Sequence, residues 1–356
     1  MAIKKEQKRI LTPKLKKDEK EADLSLRPKT LSQFIGQKKI KENLKILIQA
    51  AKKRKEPLDH VLLYGPAGLG KTTLAQVLAK EMNSNIRITS GPSIDKAGDL
   101  ASILTNLEDE DILFIDEIHR LNKNIEEILY PAMEDFALDI IVGKGPAAKT
   151  LRLDLPKFTI VGATIRIGSI SNPLRDRFGG HFRLDFYQTA DLQKIILRSS
   201  KVLKIDIEKS AAKMIAKSSR RTPRVANRLL RRIRDFAEVK NQKIITPKIV
   251  EKSLKMLEID SKGLDSADRK ILNTIIKKFS GGPVGLDTLA ASIGEDVSNI
   301  EDVYEPFLMR LGFLKRTPRG RVVTKNGFDY MGIPLPEDDP DRKQKISISK
   351  NQRKLL

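Results

Sequence analysis

The sequence predicts an α/β protein: a mostly parallel sheet covered by helices on both faces, then an all-helical domain, then a small C-terminal domain of helices and one hairpin. Three observations predict it. Up to about residue 190, apolar runs of strand length alternate with helical patterns, which is how parallel sheets are built. A glycine-rich loop at 65–73 joins one of those runs to a helix. Beyond residue 190 the strand signals stop and helical spacing continues.

In chain order, residues 1–24 are polar, charged and aperiodic, which predicts a disordered arm. Ile40, Leu44, Leu47 and Ala51 keep helical spacing. The run His60–Tyr64 predicts a strand and Thr73–Lys80 a helix. A strand at Ile86–Thr89, a helix at Asp99–Leu107, a strand at Asp111–Asp116 and a helix over 124–135 follow. The next sheet strand is expected at Phe158–Thr164, and between Leu138 and Leu155 the pattern predicts an inserted β-hairpin turning at Gly143-Lys144-Gly145-Pro146. Helices are then expected at Asp191–Ile205, Ser210–Ser219, Pro223–Lys240 and Pro247–Ile259, two of them opening on Thr-Pro, where proline's fixed φ suits a first turn. From Asp265 come three short helices and a basic stretch over 312–324, the pattern of a winged helix. The domain boundaries expected are 25–190, 191–262 and 263–335, with a disordered tail over 336–356.

Composition narrows the partners. Lys and Arg number 68 against 46 Asp and Glu, a formal charge of +22 in 356 residues, which points to a polyanion. The arm 1–24 carries eight basic and five acidic residues, so the folded part holds most of the excess. With no cysteine, disulfides and thiolate chemistry are excluded, and three dispersed histidines argue against a zinc site. No apolar run reaches membrane-spanning length, and the cytoplasm is the expected compartment.

The loop Gly65-Pro66-Ala67-Gly68-Leu69-Gly70-Lys71-Thr72-Thr73 matches the phosphate-loop pattern in full, between a strand and a helix. Glycines there let backbone N–H groups surround phosphates at the positive end of a helix dipole. Lys71 is placed to reach the β- and γ-phosphates, and the Thr72 hydroxyl to ligate Mg²⁺. The run Asp111–Glu117 is four apolar residues ending in two carboxylates, an arrangement costly to bury unless a cation waits at its end. Asp116 suits the Mg²⁺ shell and Glu117 suits a general base acting on water. These residues predict binding and hydrolysis of ATP or GTP.

The order of domains, and several runs, resemble the AAA+ ATPases of the RuvB family across roughly residues 24–335. The runs are Leu-Arg-Pro-Lys at 26–29, the phosphate loop, Leu-Phe-Ile-Asp-Glu-Ile-His-Arg at 113–120 and Tyr-Pro-Ala-Met-Glu-Asp at 130–135. Pro-Leu-Arg-Asp-Arg-Phe-Gly at 173–179, Gly-Gly-Pro-Val-Gly-Leu-Asp at 281–287 and Arg-Thr-Pro-Arg-Gly-Arg at 316–321 complete them. The last two and the inserted hairpin are the most specific. The resemblance implies a ring, expected to be a hexamer, that uses ATP and Mg²⁺ to drive branch migration of Holliday junctions, with RuvA as partner and a RuvC-like resolvase as a possible further one. It implies nucleotide contacts at Leu26, Arg27, Gly68, Lys71, Thr72, Thr73, Glu134, Asp135, Phe136, Arg177, Tyr187 and Arg224. Arg177 looks like a finger serving a neighbouring subunit's phosphate; its alternative is a surface ion pair with Asp176 or Asp185. Arg224 looks like the lid's sensing arginine, or else one of seven arginines on a solvated face over 220–234 that holds no acid. Tyr187 lies by the adenine and ribose or is a core aromatic. The family's polar sensor threonine is replaced by Ile165, which donates no hydrogen bond and puts turnover in question.

In the last domain, Arg316, Arg319 and Arg321 are expected to meet DNA phosphates from a wing whose tip holds a glycine. On the inserted hairpin, apolar Ile140, Ile141, Leu151 and Leu153 either pack back on the body or meet a partner protein, which in the family is RuvA. Two rival functions stay open: a DNA-bound ATP switch without processive movement, and a protein-remodelling AAA+ enzyme, which the basic charge disfavours.

Overall fold

The computed structural model describes residues 25–142 and 149–335, with the side chains of 140–142 and 149–150 outside that description. The arm 1–24, the tail 336–356 and the turn of the inserted hairpin lie outside the described residues. By compactness the described residues form two units, one of 25–204 with 221–227, the other of 205–220 with 228–335.

The first unit is built on a five-stranded sheet in the order β2-β3-β6-β1-β7, every neighbouring pair parallel. Its strands are β1 (Val61–Tyr64), β2 (Ile86–Ser90), β3 (Ile112–Asp116), β6 (Thr159–Thr164) and β7 (Gly180–Arg183). The three central ones read as continuous apolar runs because both faces are covered, and Val61–Leu63, Ile112–Ile115 and all of β6 are buried. Helices α1 (Lys38–Arg54), α2 (Lys71–Met82), α3 (Ala97–Thr105) and α4 (Lys123–Glu134) alternate with the strands, and α5 (Asn172–Asp176) precedes β7. Leu100, Leu104, Ile125, Leu129 and Met133 carry the apolar faces of α3 and α4 into one core with Leu113, Ile115 and Ile160.

Parallel pairing gathers the C-terminal ends of the strands on one edge. The glycine-rich loop leaves β1 there, Asp116 ends β3 and Thr164 ends β6. The inserted hairpin, β4 (Ala137–Val142) with β5 (Lys149–Asp154), is antiparallel, and its register sets Leu138 opposite Leu153 and Ile140 opposite Leu151. Leu138 is buried and Leu153 packs on the same core, so the base of the hairpin is anchored, whereas Leu151 is half exposed. α6 (Thr189–Val202) completes this unit.

The second unit holds α7 (Lys209–Lys217), most of α8 (Pro223–Val239), α9 (Pro247–Met256) and a two-residue parallel pair, β8 (Asp206–Ile207) with β9 (Ile244–Ile245). These short strands are the one departure from an all-helical segment. α10 (Ser266–Lys278), α11 (Leu286–Ile293), a helical stretch over 297–310, the hairpin β10 (Leu314–Thr317) with β11 (Gly320–Val323), and α12 (Lys325–Met331) then form the winged helix. Leu272, Ile275, Leu289, Tyr304, Leu308 and Phe328 share its core.

The arginines of 220–234 are not a solvated face: Arg220, Arg228 and Arg231 are buried. Acids distant in sequence explain Arg220. Its Nη2 donates to Asp268 and lies 3.2 Å from Asp265, its Nε donates to the Gly263 carbonyl, and its guanidinium sits 4.8 Å from the Phe307 ring. Asp265 and Asp268 also cap α10, each accepting from the other's backbone N–H. One guanidinium faces two carboxylates here, and burial pushes the Asp268 carboxyl up to about 8 against the pull of Arg220.

The sign of that shift gives a test. A folded value above the unfolded 3.8 means the folded chain keeps a proton that the unfolded chain releases, so this stability is fully present below 3.8 and lost as pH rises toward about 8. Urea unfolding of wild type and Asp268→Asn across that window should show the wild type losing stability relative to the variant as pH rises. Parallel curves would contradict it.

Candidate nucleotide site and winged helix

The phosphate loop turns on three glycines with positive φ, Gly65, Gly68 and Gly70. At Gly65 a Cβ would stand 2.4 Å from the Leu184 carbonyl, so the loop lies hard against the end of β7. Lys71 opens α2 and is buried, its Nζ donating to the carbonyls of Gly65 at 2.7 Å and Pro66 at 3.0 Å. Burial lowers its pKa to about 8, Asp116 opposing that shift and Arg224 adding to it. Lys71 and Asp116 are therefore electrostatic neighbours, as the two motifs require. Thr72 and Thr73 occupy the first turn of α2, and α2 has no side-chain cap on its first N–H groups, which leaves its N-terminus to a phosphate.

Around the loop, Leu26 is buried and Arg27 donates to Gln76 of α2 at 3.1 Å. Tyr187 is a core aromatic that also touches the loop. It is buried, yet its hydroxyl donates to the Leu69 carbonyl of the loop at 3.2 Å. Burial raises its pKa, keeping it a neutral donor. Its backbone N–H bonds to the Arg221 carbonyl, and the Arg224 N–H reaches the Gly68 carbonyl at 3.4 Å. The segment 221–224 is thus held on the phosphate loop through backbone contacts.

Glu117 leaves β3 in a left-handed conformation, φ 50°, with its carbonyl close to Gly91, where a Cβ would stand 2.5 Å away. Its carboxylate meets Arg120 at 3.1 Å, a contact that the sequence reading missed although Arg120 closes the run that carries Glu117. Both side chains are about half exposed, and such pairs contribute roughly 0–1 kcal/mol, too little to hold Glu117 from a substrate. At the end of β6, Thr164 is buried, pairs with His119 at 3.0 Å and accepts from the Arg166 N–H at 2.9 Å. Its hydroxyl is already engaged, and the next residue, Ile165, has no donor.

Arg177 lies elsewhere. Its Nη2 donates to Glu134 at 3.1 Å, its Nη1 to the Pro173 carbonyl at 2.8 Å, and the guanidinium stacks 4.2 Å over the Tyr130 ring. Arg177 makes its ion pair with Glu134 rather than with Asp176 or Asp185, the partners of the alternative reading; Asp185 pairs with Arg183 at 3.4 Å. Asp135 pairs with Arg152 of β5, and Phe136 packs edge-on against Phe158 at 5.8 Å, with His60 at 6.4 Å. His60 precedes β1, and β7, which follows Arg177, pairs Gly180 with Val61. Glu134, Asp135, Phe136 and Arg177 therefore gather at the N-terminal edge of the sheet, and the phosphate loop at the C-terminal edge. A four-residue strand at about 3.3 Å per residue separates them, so they lie at the edge away from their own Lys71.

In the wing, Arg319 is exposed at the turn and Lys315 is exposed beside it. Arg321 corrects the sequence reading. It is buried, its Nε donating to Glu305 Oε2 at 3.0 Å with its Nη2 2.9 Å from the same oxygen, and Glu305 is itself buried. Arg316 stands opposite Arg321 in the antiparallel register and so shares its face, which turns toward Glu301 and Glu305 at 3.7 and 4.0 Å. Removing one member of a buried pair leaves a charge unpaired at a cost of about 3–5 kcal/mol. Arg321→Ala should accordingly lower the unfolding midpoint of the winged helix, while Arg319→Ala leaves it unchanged; equal midpoints in denaturant would contradict the pairing.

No helix among the described residues is long and apolar enough to cross a membrane. Family models match almost the whole described chain: the Holliday junction DNA helicase RuvB P-loop domain over 26–184, the RuvB AAA lid domain over 187–260 and the RuvB C-terminal winged helix domain over 261–332. The Holliday junction branch migration complex subunit RuvB of Dehalococcoides mccartyi (strain CBDB1) is 58% identical over 333 residues, 94% of this chain and 95% of that protein. The solved structure of the Thermotoga maritima RuvB Holliday junction branch migration motor is 51% identical with a TM-score of 0.80, covering 88% of this chain and 100% of that one. A single-substitution variant of that motor gives 0.81, again at 51% identity, with 87% and 99% covered.

Proposed function

The chain belongs to the RuvB family, and on that premise we propose how its residues divide the work of an ATP-driven motor for Holliday-junction branch migration. It is a P-loop AAA+ ATPase with a helical lid and a winged helix. The observation that carries the division of labour is the separation of Lys71 and Arg177 to opposite edges of one parallel sheet.

At the C-terminal edge, Lys71 contacts the β- and γ-phosphates, the loop amides of Gly68 to Thr73 surround them, and Glu117 orients and deprotonates the attacking water. Leu26, Arg27 and Tyr187 border the base and ribose, and Arg224 senses the phosphates from the lid. Thr72 and Asp116, a hydroxyl and a carboxylate at one edge beside an uncapped helix end, fit a hard cation. Mg²⁺ held there offsets phosphate charge.

At the N-terminal edge, Arg177 serves the site of the next subunit, with Glu134, Asp135 and Phe136 beside it on the same surface. A finger that cannot reach its own phosphate requires a ring or filament, and the family points to a hexameric ring on duplex DNA. In this scheme residues 25–190 form the ATPase domain, 191–262 the lid and 263–335 the DNA-binding domain, where Arg319 and Lys315 meet phosphates and Arg316 stands at the margin. The exposed Leu151, with Ile140 and Ile141 on the facing strand, is the surface for a RuvA-like partner, and the cytoplasm is the compartment. A synthetic four-way junction, incubated with ATP and the protein with and without RuvA, tests the function; no ATP-dependent dissociation under either condition would reject it.

One observation favours a second reading, a slow ATP switch on DNA: Ile165 offers no donor and Thr164 is already engaged. Losing one catalytic donor costs about 10²–10³ in rate. Ile165→Thr should then raise kcat by about tenfold or more with KM for ATP little changed. An unchanged kcat would show that this chain needs no donor at that position.

Three measurements check the remaining roles. Lys71→Ala should lose ATP binding and hydrolysis, whereas Glu117→Gln should bind ATP and hold it. Arg177→Ala should bind ATP without turnover, and mixing it with Lys71→Ala should recover activity at mixed interfaces; confirmed mixed rings with no recovery would place Arg177 outside the shared site. For the wing, Arg319→Ala should weaken binding to unrelated duplexes alike and flatten log affinity against log salt by ~0.9. An unchanged slope in fluorescence anisotropy would make that tip a mere solvated surface.

A further inference from the structure

Arg220 and the linker after α9 form a connection that neither the nucleotide chemistry nor the DNA contacts use. The linker over 258–265 is tied down at each step. Asp260 Oδ1 accepts from the N–H groups of Lys262 and Leu264, and Asp260 Oδ2 accepts from the Tyr330 hydroxyl of α12. Arg269 of α10 donates to the carbonyls of Glu258 at 2.7 Å and Leu264 at 3.1 Å. The Lys262 ammonium lies over the stacked rings of Phe313 and Tyr330, at 5.2 and 5.8 Å. Gly263 has φ 88°, and a Cβ there would stand 2.7 Å from the Ser218 carbonyl, so the linker runs tight against the end of α7. Arg220, three residues past the end of α7, closes the arrangement, reaching the Gly263 carbonyl, Asp265 and Asp268, with Phe307 against its guanidinium.

We propose that Arg220 is a positioning residue that locks the lid helices α7 to α9 and the winged helix into one rigid lever, so that movement of the lid on ATP turnover is delivered to DNA without slack. A buried charged group with three separate partners is expensive to rearrange, because every partial release leaves a carboxylate or guanidinium unpaired in the core. A flexible linker of the same length would absorb the motion instead. Only three residues, Arg221 to Pro223, lie between Arg220 and Arg224, whose N–H is on the phosphate loop. The lever is therefore joined along the chain, through three residues, to the segment that holds the phosphate loop. The proposal rests on the motor reading for its consequence, though not for its geometry.

Two measurements test it. In the first, single cysteines introduced by Val239→Cys on α8 and Asp329→Cys on α12 carry spin labels, the native chain having no cysteine to interfere. The distance between them should be single and the same with ATP, with ADP and with neither; a distance that changes with nucleotide overturns the proposal whether or not the protein is a motor. In the second, Arg220→Met should keep DNA-independent ATPase within about twofold while base pairs migrated per ATP fall about fivefold or more, the scale of coupling between linked sites. Arg220→Lys, which keeps the charge and loses the forked geometry, should recover part of the yield. Loss of ATPase and migration in the same proportion would mean that Arg220 only supports folding, and an unchanged yield would mean that the lever does not depend on it.

Discussion

Parallel strand pairing is the constraint on which the rest depends. Five strands running one way place every C-terminal end on one edge, and the chemistry follows from who sits there: the phosphate loop, Asp116, Glu117 and Thr164. The same constraint sends each connecting helix back to the other edge, which is why α4 delivers Glu134 beside Arg177 and away from Lys71. The direction of β7 relative to β1 is what sets Arg177 at the edge away from Lys71.

Buried charge organises the second unit as strand direction organises the first. Arg220 with Asp265 and Asp268, and Arg321 with Glu305, set two buried arginines against acidic partners inside that unit. Such pairs add little net stability compared with apolar packing, but they reject wrong arrangements because each partial mispairing strands a charge. A winged helix of some seventy residues has a modest core, and one defined docking of its hairpin on the stretch over 297–310 is what Glu305 supplies.

Much of this was legible in the sequence, and the limits have physical causes. The phosphate loop, the acidic strand end, the hairpin and the order of domains were visible because each depends on local periodicity or on spacing within one loop. α3 was placed two residues late at both ends, since its start is set by Asp99 accepting from the Lys96 N–H rather than by an apolar residue. Arg321 was misread because a basic residue in a basic hairpin looks the same whether it faces DNA or a glutamate sixteen positions earlier. The arginines of 220–234 failed for the same reason: the acids that bury Arg220 lie more than forty residues away. Tyr130 under Arg177 could have been found only by folding the chain. Pairing between distant charges is the information that a one-dimensional pattern lacks.

The placement of Arg177 also has a consequence for dosage. On the reading proposed above, a lone copy of this chain holds a phosphate loop with no finger and a finger with no phosphate, and is inert by construction. Catalysis on that reading begins only with the first encounter of two copies and grows faster than in proportion to their number until rings close. Scarcity then acts as an off switch. A cell could silence the motor by dilution alone, and a junction that gathers subunits would ignite hydrolysis at the place where it is needed.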